Sequence, residues 1–182
     1  MTAAPHYPKM FPLMLNITDV AVMVVGDNMT ERLDMLREYG AANVHTFAHA
    51  TPPNDADFDR IKPRLVFISD ADDALATDLH KRAHAAGAFV HVQDRIPLCD
   101  FHLPARIRRG HLQVTISTDG SAAGLSRVLR QHLEETKFGP EWADRVDEVA
   151  AARQQWKAEG RSMSEIGKAL VTFVVARGWL KP

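Results

Sequence analysis

Only one cysteine, Cys99, occurs in the 182 residues, which excludes an internal disulfide and makes a reducing compartment, the cytoplasm, the expected setting. An excess of charge of either sign is missing too. The 22 basic and 23 acidic residues leave a formal net charge of -1, so nothing in the overall charge draws the protein to nucleic acid or anionic lipid, and neither partner is expected. No stretch reaches the roughly 18 uninterrupted apolar residues that a membrane span needs, and Met1 to Lys9 has neither a long apolar run nor a small-residue cleavage pattern. Neither a membrane span nor a signal peptide is expected. Internal repeats and low-complexity tracts are absent. The nine histidines show no pair at clear metal-ligand spacing, so no bound structural metal is expected.

What is present is the composition of a globular protein, 46% apolar and 25% charged. Domains usually hold roughly 100 to 150 residues, so the length suits one domain with a sizeable core plus a smaller module. Val20 to Val25 is an unbroken apolar, β-branched run closed by Gly26, as in a strand buried on both faces. Thr30 to Tyr39 then places Leu33, Leu36 and Tyr39 on one helical face, with Gly40 where a helix ends. Asn43 to Ala48 reads as a second strand and Thr51-Pro52-Pro53-Asn54-Asp55 as a surface loop. Leu65 to Ile68 is a third strand, Ala74 to Ala86 a helix whose dipole suits Asp72 and Asp73, and Phe89 to Val92 a fourth strand. Strands alternating with helices predict a parallel sheet with right-handed crossovers.

Past Pro97 the rhythm changes. Leu112 to Ser117 alternates as a strand, Asp119-Gly120 signals a turn, and a helix is expected from Ser121 to about Glu135, with Leu125, Val128, Leu129 and Leu133 as its buried stripe. Two further helices, Glu141 to Glu159 and Ser162 to Arg177, follow Phe138-Gly139-Pro140, the second opened by a Ser162 to Glu165 capping box. Ile166, Leu170, Phe173, Val174 and Trp179 form an apolar stripe that its own domain or a second subunit must cover. The expected division is 1–110, 111–138 and 139–182.

Specific motifs lie in the middle of the chain. Gly87 to Asp94, then Leu98-Cys99-Asp100-Phe101 and Pro104-Ala105, run into Arg108-Arg109-Gly110, the strand to Ser117, and Thr118-Asp119-Gly120. This string resembles the precorrin-2 dehydrogenase module of siroheme synthesis, which carries strand, aspartate, Cys-x-Phe-x-x-Pro-Ala, Arg-Gly-x-Leu, strand and Ser-Thr-x-Gly in that order. Phe11-Pro12-Leu13 is similar to the family's opening Leu-Pro-Leu, and the resemblance covers roughly residues 10 to 136. It implies a Rossmann-like α/β domain, a strand-and-helix dimerisation region at 111–138, a helical C-terminal appendage, and a homodimer. It also implies NAD as cofactor, precorrin-2 as the tetrapyrrole substrate, sirohydrochlorin as product, and in some members ferrous iron insertion.

The resemblance places the cofactor along Gly26, Asp27 and Asn28, beside His49 and Ala50 after the second strand, and beside Ser69 and Asp70 after the third. Asp94 matches the family's acid-base aspartate, and it follows a strand at the carboxyl edge, where open α/β sheets bind ligands; a turn-capping aspartate before Pro97 is the plainer reading. The substrate's carboxylates need cations and backbone N–H groups, which Ser117, Thr118, Gly120 and Ser121 offer at a helix start, a place an ordinary cap would also occupy. Arg109, with Arg106 and Arg108, either grips a carboxylate or lies along a solvated strand edge. His102 reads as a surface histidine and Cys99 as a buried, inert thiol.

The first turn departs from the family, which has three glycines so that backbone can approach a diphosphate without a Cβ in the way. Here it reads Gly26-Asp27-Asn28, and Asp27 brings a negative charge. Three readings therefore stand: an NAD-dependent dehydrogenase, a relative that binds a tetrapyrrole or inserts metal without dehydrogenating it, and a nucleotide-sensing regulatory domain.

Overall fold

The computed structural model describes residues 9–180, so the leader expectation, except at Lys9, lies outside the described residues. Four parallel strands, β1 (Val22–Val25), β2 (Val44–Phe47), β3 (Leu65–Ile68) and β4 (Phe89–Val92), lie in the order β2-β1-β3-β4. Val24 of β1 stands in register with Thr46 on one side and Phe67 on the other. Helices α1 (Thr30–Glu38), α2 (Asp55–Ile61) and α3 (Asp73–Ala85) connect the strands.

Every residue of β1 and β3 is buried, because both faces of the sheet are covered and alternate side chains enter different cores. Met23, Val25, Val66 and Ile68 join Phe58 of α2 and Leu79 of α3 in one; Val22, Val24, Leu65 and Phe67 join Leu36 of α1 in the other. This is why the central strands read as continuous apolar runs.

Helix α2 follows the expected loop, over residues for which the sequence suggested no element. The loop ends at Asn54, whose side chain accepts from the Asp57 N–H at 3.2 Å while Asp57 Oδ2 accepts from the Asn54 N–H at 3.1 Å. That reciprocal pair satisfies two donors at the helix start, and Phe58 and Ile61, one turn apart, bury the inner face. The Pro52-Pro53 pair masked a short helix behind a loop signature.

Contacts within the chain divide it into two compact units. One runs through Leu103 and includes Asp119–Ser121; the other holds Pro104–Thr118 and everything from Ala122. In the second unit β5 (Ala105–Arg109) and β6 (Leu112–Ile116) pair antiparallel. A boundary at residue 110 would cut this hairpin, so the break falls earlier than expected. β5 was not anticipated because three arginines hide its single buried inward residue, Ile107.

Helices α4 (Ala123–Thr136), α5 (Trp142–Ala158) and α6 (Met163–Ala176) complete this unit. The stripe expected to be buried on α4 is not: Leu125 is 52%, Val128 60% and Leu129 39% exposed in the single chain. The stripe on α6 is partly covered by α5 of the same chain, with Ile166 buried and the Phe173 ring edge-on to Trp156 at 5.6 Å. Arg177 lies over Phe173 and pairs with Glu148 at 2.6 Å, tying the end of α6 to α5.

Candidate functional site

The chain leaves β1 toward β2 and then crosses to the other side of β1 to form β3, so the carboxyl ends of β1 and β3 are the point where the winding reverses. Open α/β sheets bind ligands in the crevice that opens there. Gly26 and Ser69 follow those two strands: the Ser69 N–H donates to the Val25 carbonyl at 2.9 Å and the Gly26 N–H to the Phe47 carbonyl at 3.0 Å. A Cβ on Gly26 would lie 3.3 Å from both the Cβ and the carbonyl oxygen of Ser69, so any side chain here would press Ser69 back by a few tenths of an ångström.

Asp27 is exposed, but its carboxylate turns toward the end of β2. Oδ1 accepts from the His49 N–H at 3.0 Å, and Oδ2 lies 3.0 Å from His49 Nδ1. The Nε2 of the same ring sits 2.8 Å from the Ser69 carbonyl oxygen. Both partners are acceptors, so the two ring contacts are hydrogen bonds together only with hydrogen on both nitrogens. Asp27, His49 and Ser69 thereby link the loops after β1, β2 and β3. Asn28 and Ala50 are exposed beside them, and Asp70 is exposed with a left-handed φ of 54°.

Helix α1 opens at Met29 with no side-chain cap, whereas α2 is capped by Asn54 and α3 by Asp72. Its leading N–H groups thus lack a side-chain acceptor, and with the helix dipole they suit an anion. These are the groups that could hold a dinucleotide along this edge: the start of α1 toward its diphosphate and the Asp27 carboxylate, held at the end of β2, toward a ribose.

Asp94 is exposed in the turn after β4, with a left-handed φ of 58°. The turn is anchored on both sides. Arg95 reaches Asp73 at the start of α3, NH2 to Oδ1 at 2.6 Å, and the Cys99 thiol donates to the Val92 carbonyl at 3.1 Å. Burial pushes the Cys99 thiol above its ordinary pKa, matching the inert reading. Nearby, burial pushes His91 below the usual imidazole value, and its Nδ1 lies 3.1 Å from the Phe101 carbonyl.

The substrate candidates divide between the units. Asp119–Ser121 belong with the first, where a Cβ on Gly120 would meet Ile96 Cδ1 at 3.0 Å and His102 Cε1 at 3.3 Å and where φ is +84°. Only glycine tolerates both constraints, and the turn therefore packs on the segment that follows Asp94. His102 is half-buried rather than a surface residue, and its Nε2 has no hydrogen-bond partner among the described residues. Ser117 and Thr118 belong with the second unit, where Thr118 Oγ1 accepts from the N–H of Ala122, the residue before α4, at 3.1 Å.

Arg109 has a structural task. Its Nε donates to the Phe138 carbonyl at 3.0 Å and NH2 to Glu134 at 2.9 Å, holding the hairpin against the end of α4, while NH1 donates to the neighbouring Arg108 carbonyl at 2.8 Å. The histidine reading also needs correction. His80 and His84 are one turn apart on α3, a spacing already present in the sequence, and their ligand atoms lie with one of Asp100 within 4.8 Å of each other. What no sequence pattern showed is that Asp100 would join them.

Comparison with known proteins agrees with this architecture. The pattern of the putative NAD(P)-binding family matches residues 13–105, just over half of the chain, and that of the sirohaem biosynthesis protein central segment matches residues 109–136. A siroheme synthase of Pseudoalteromonas atlantica is 31% identical over 117 residues, covering 64% of this chain and 24% of that protein. One of Xylella fastidiosa is 33% identical over 143 residues, covering 69% of this chain and 30% of its own length. The chain thus spans less than a third of these relatives. The solved structure of the precorrin-2 dehydrogenase SirC superposes with a TM-score of 0.66 over 91% of this chain and 89% of that one, at 18% identity, which shows a shared Rossmann-like fold. With its sheet, its winding reversal and more than half its length matched, the chain belongs to the putative NAD(P)-binding family, followed by the sirohaem-biosynthesis central segment.

Proposed function

We propose that the protein oxidises precorrin-2 to sirohydrochlorin with NAD in siroheme biosynthesis. The observation that carries this reading is the arrangement along the carboxyl edge of one sheet, where Gly26, Asp27, His49 and Ser69 surround the winding reversal and Asp94 follows the next strand. Ile68 and Val92 are register partners, so the turns bearing Asp70 and Asp94 leave the sheet side by side.

Bound NAD supplies the hydride acceptor. The carboxylate of Asp94 takes the proton lost from the macrocycle and, being exposed, releases it to water. The N–H groups that open α1 receive the diphosphate. Asp27, steadied by His49, accepts from the adenosine ribose hydroxyls and repels a 2′-phosphate, so NAD is preferred over NADP. Gly120 and Ser121 receive substrate carboxylates through backbone and hydroxyl donors.

Homodimerisation belongs to this reading. The exposed leucines and valine of α4 are spaced as one helical stripe, and a second copy of the helix would remove them from water. Iron insertion into sirohydrochlorin, with Asp94 as the metal-approaching carboxylate, is an accompanying proposal.

Asp94→Asn tests the chemistry. Turnover of precorrin-2 should fall about 100-fold or more, with NAD affinity and Tm unchanged, because an exposed turn carboxylate contributes little to stability. Undiminished turnover would remove Asp94 from the mechanism. Wild-type protein that binds sirohydrochlorin but neither binds NAD nor oxidises precorrin-2 would establish the non-dehydrogenase alternative instead.

A further inference from the structure

A second cluster of chemically active side chains lies outside the proposed dehydrogenase site. His80 and His84 project from the same face of α3 with ring centroids 4.0 Å apart. The Nε2 of His84 is 2.7 Å from Asp100 Oδ2, and one nitrogen of each ring and one Asp100 oxygen lie within 4.8 Å of one another.

Asp100 is fixed before any ligand arrives. β4 is an edge strand, and Asp100 serves Val90 on its open side: the Asp100 N–H donates to the Val90 carbonyl at 2.8 Å, and Oδ2 accepts from the Val90 N–H at 2.8 Å. Main-chain and side-chain bonds thus set the carboxylate in one orientation, as a hydrogen bond behind a metal ligand does. The two imidazoles come from a helix whose turn repeat sets their separation. An edge-protecting aspartate and its contact with His84 would not by themselves need the neighbouring His80 ring.

Two imidazole nitrogens and one carboxylate oxygen suit borderline divalent ions of the first transition row, and suit magnesium or calcium poorly, since those prefer all-oxygen shells. Ligand bonds of about 2.0 to 2.2 Å place neighbouring ligand atoms roughly 3 to 3.5 Å apart. With the three donors within 4.8 Å of one another and His84 Nε2 at 2.7 Å from Asp100, rotation of the two imidazoles is the adjustment that binding an ion would require. Three protein ligands leave at least one coordination position for water or an external ligand, and the His84 side chain is 45% exposed. We propose that His80, His84 and Asp100 form a binding site for a divalent first-row transition ion of the zinc and cobalt type, separate from the winding reversal at Gly26 and Ser69.

Titrating the full chain with Co2+ and then displacing it with Zn2+ tests the site. One equivalent of Co2+ with visible d–d absorption, lost on adding Zn2+, is expected. His80→Ala and His84→Ala should each weaken binding about tenfold or more, while His132→Ala, on α4, should leave it unchanged; circular dichroism checks that each variant is folded. The two histidine variants carry the test because Asp100 also supports β4. No saturable uptake by the wild type, unchanged affinity in both histidine variants, or loss of binding in His132→Ala would overturn the proposal.

Discussion

Asp27 shows how a residue that looks wrong in sequence can be placed to serve. In the chain order it stands where a glycine would admit a diphosphate, and its charge would oppose one. The fold turns its carboxylate onto His49, 22 residues later in the chain, so the charge sits at the end of β2, where dinucleotide domains often carry an acid. We therefore predict that Asp27→Asn narrows the preference for NAD over NADP by about fivefold, roughly the 1 kcal/mol of one partly solvated charge interaction. Fluorescence titration with both dinucleotides checks this, and an unchanged ratio would free Asp27 of any role in selection. Such a contact between distant loops leaves no local pattern to read. The glycine at 26 was legible as the end of a strand, but what crowds a side chain there, Ser69 at 3.3 Å, is a tertiary contact. At Arg109, charge suggested a ligand for carboxylates, and only the structure shows its donors spent on Phe138, Arg108 and Glu134.

At the scale of elements, the central strands β1 and β3 were readable because burial on both faces leaves no room for polar alternation, and the half-exposed edge strands β2 and β4 from their strand-forming residues. Helices α1, α3, α4, α5 and α6 were readable from apolar spacing and caps. α2 and β5 were not, because each is short and its signal is diluted, by two prolines before α2 and by arginines on the outer side of β5. The stripe on α4 was read correctly as a pattern and incorrectly as already covered, since periodicity shows that a face is apolar but not which molecule buries it. Fully burying a Leu or Val side chain is worth about 1.5 to 3 kcal/mol. The exposed stripe therefore predicts that the wild type sediments as a dimer and that Leu125→Asp combined with Val128→Asp sediments as a monomer with an unchanged circular dichroism spectrum. A monomeric wild type, or a dimer in the double variant, would contradict that role for α4.

The whole molecule is a Rossmann-like unit followed by a hairpin-and-helix unit, with Asp119–Ser121 belonging by its contacts to the first. That return of three residues was invisible in the sequence, where the turn reads simply as the start of α4; it comes from Gly120 fitting against Ile96 and His102. The proposal depends most on whether the edge that carries Gly26, Asp27 and His49 accepts a dinucleotide without the three-glycine turn. Calorimetric titration of the full chain with NAD measures this most directly. One saturable site per chain with Kd below about a millimolar is the predicted result, and no saturable binding at several times that concentration (roughly 5 mM) would contradict the account.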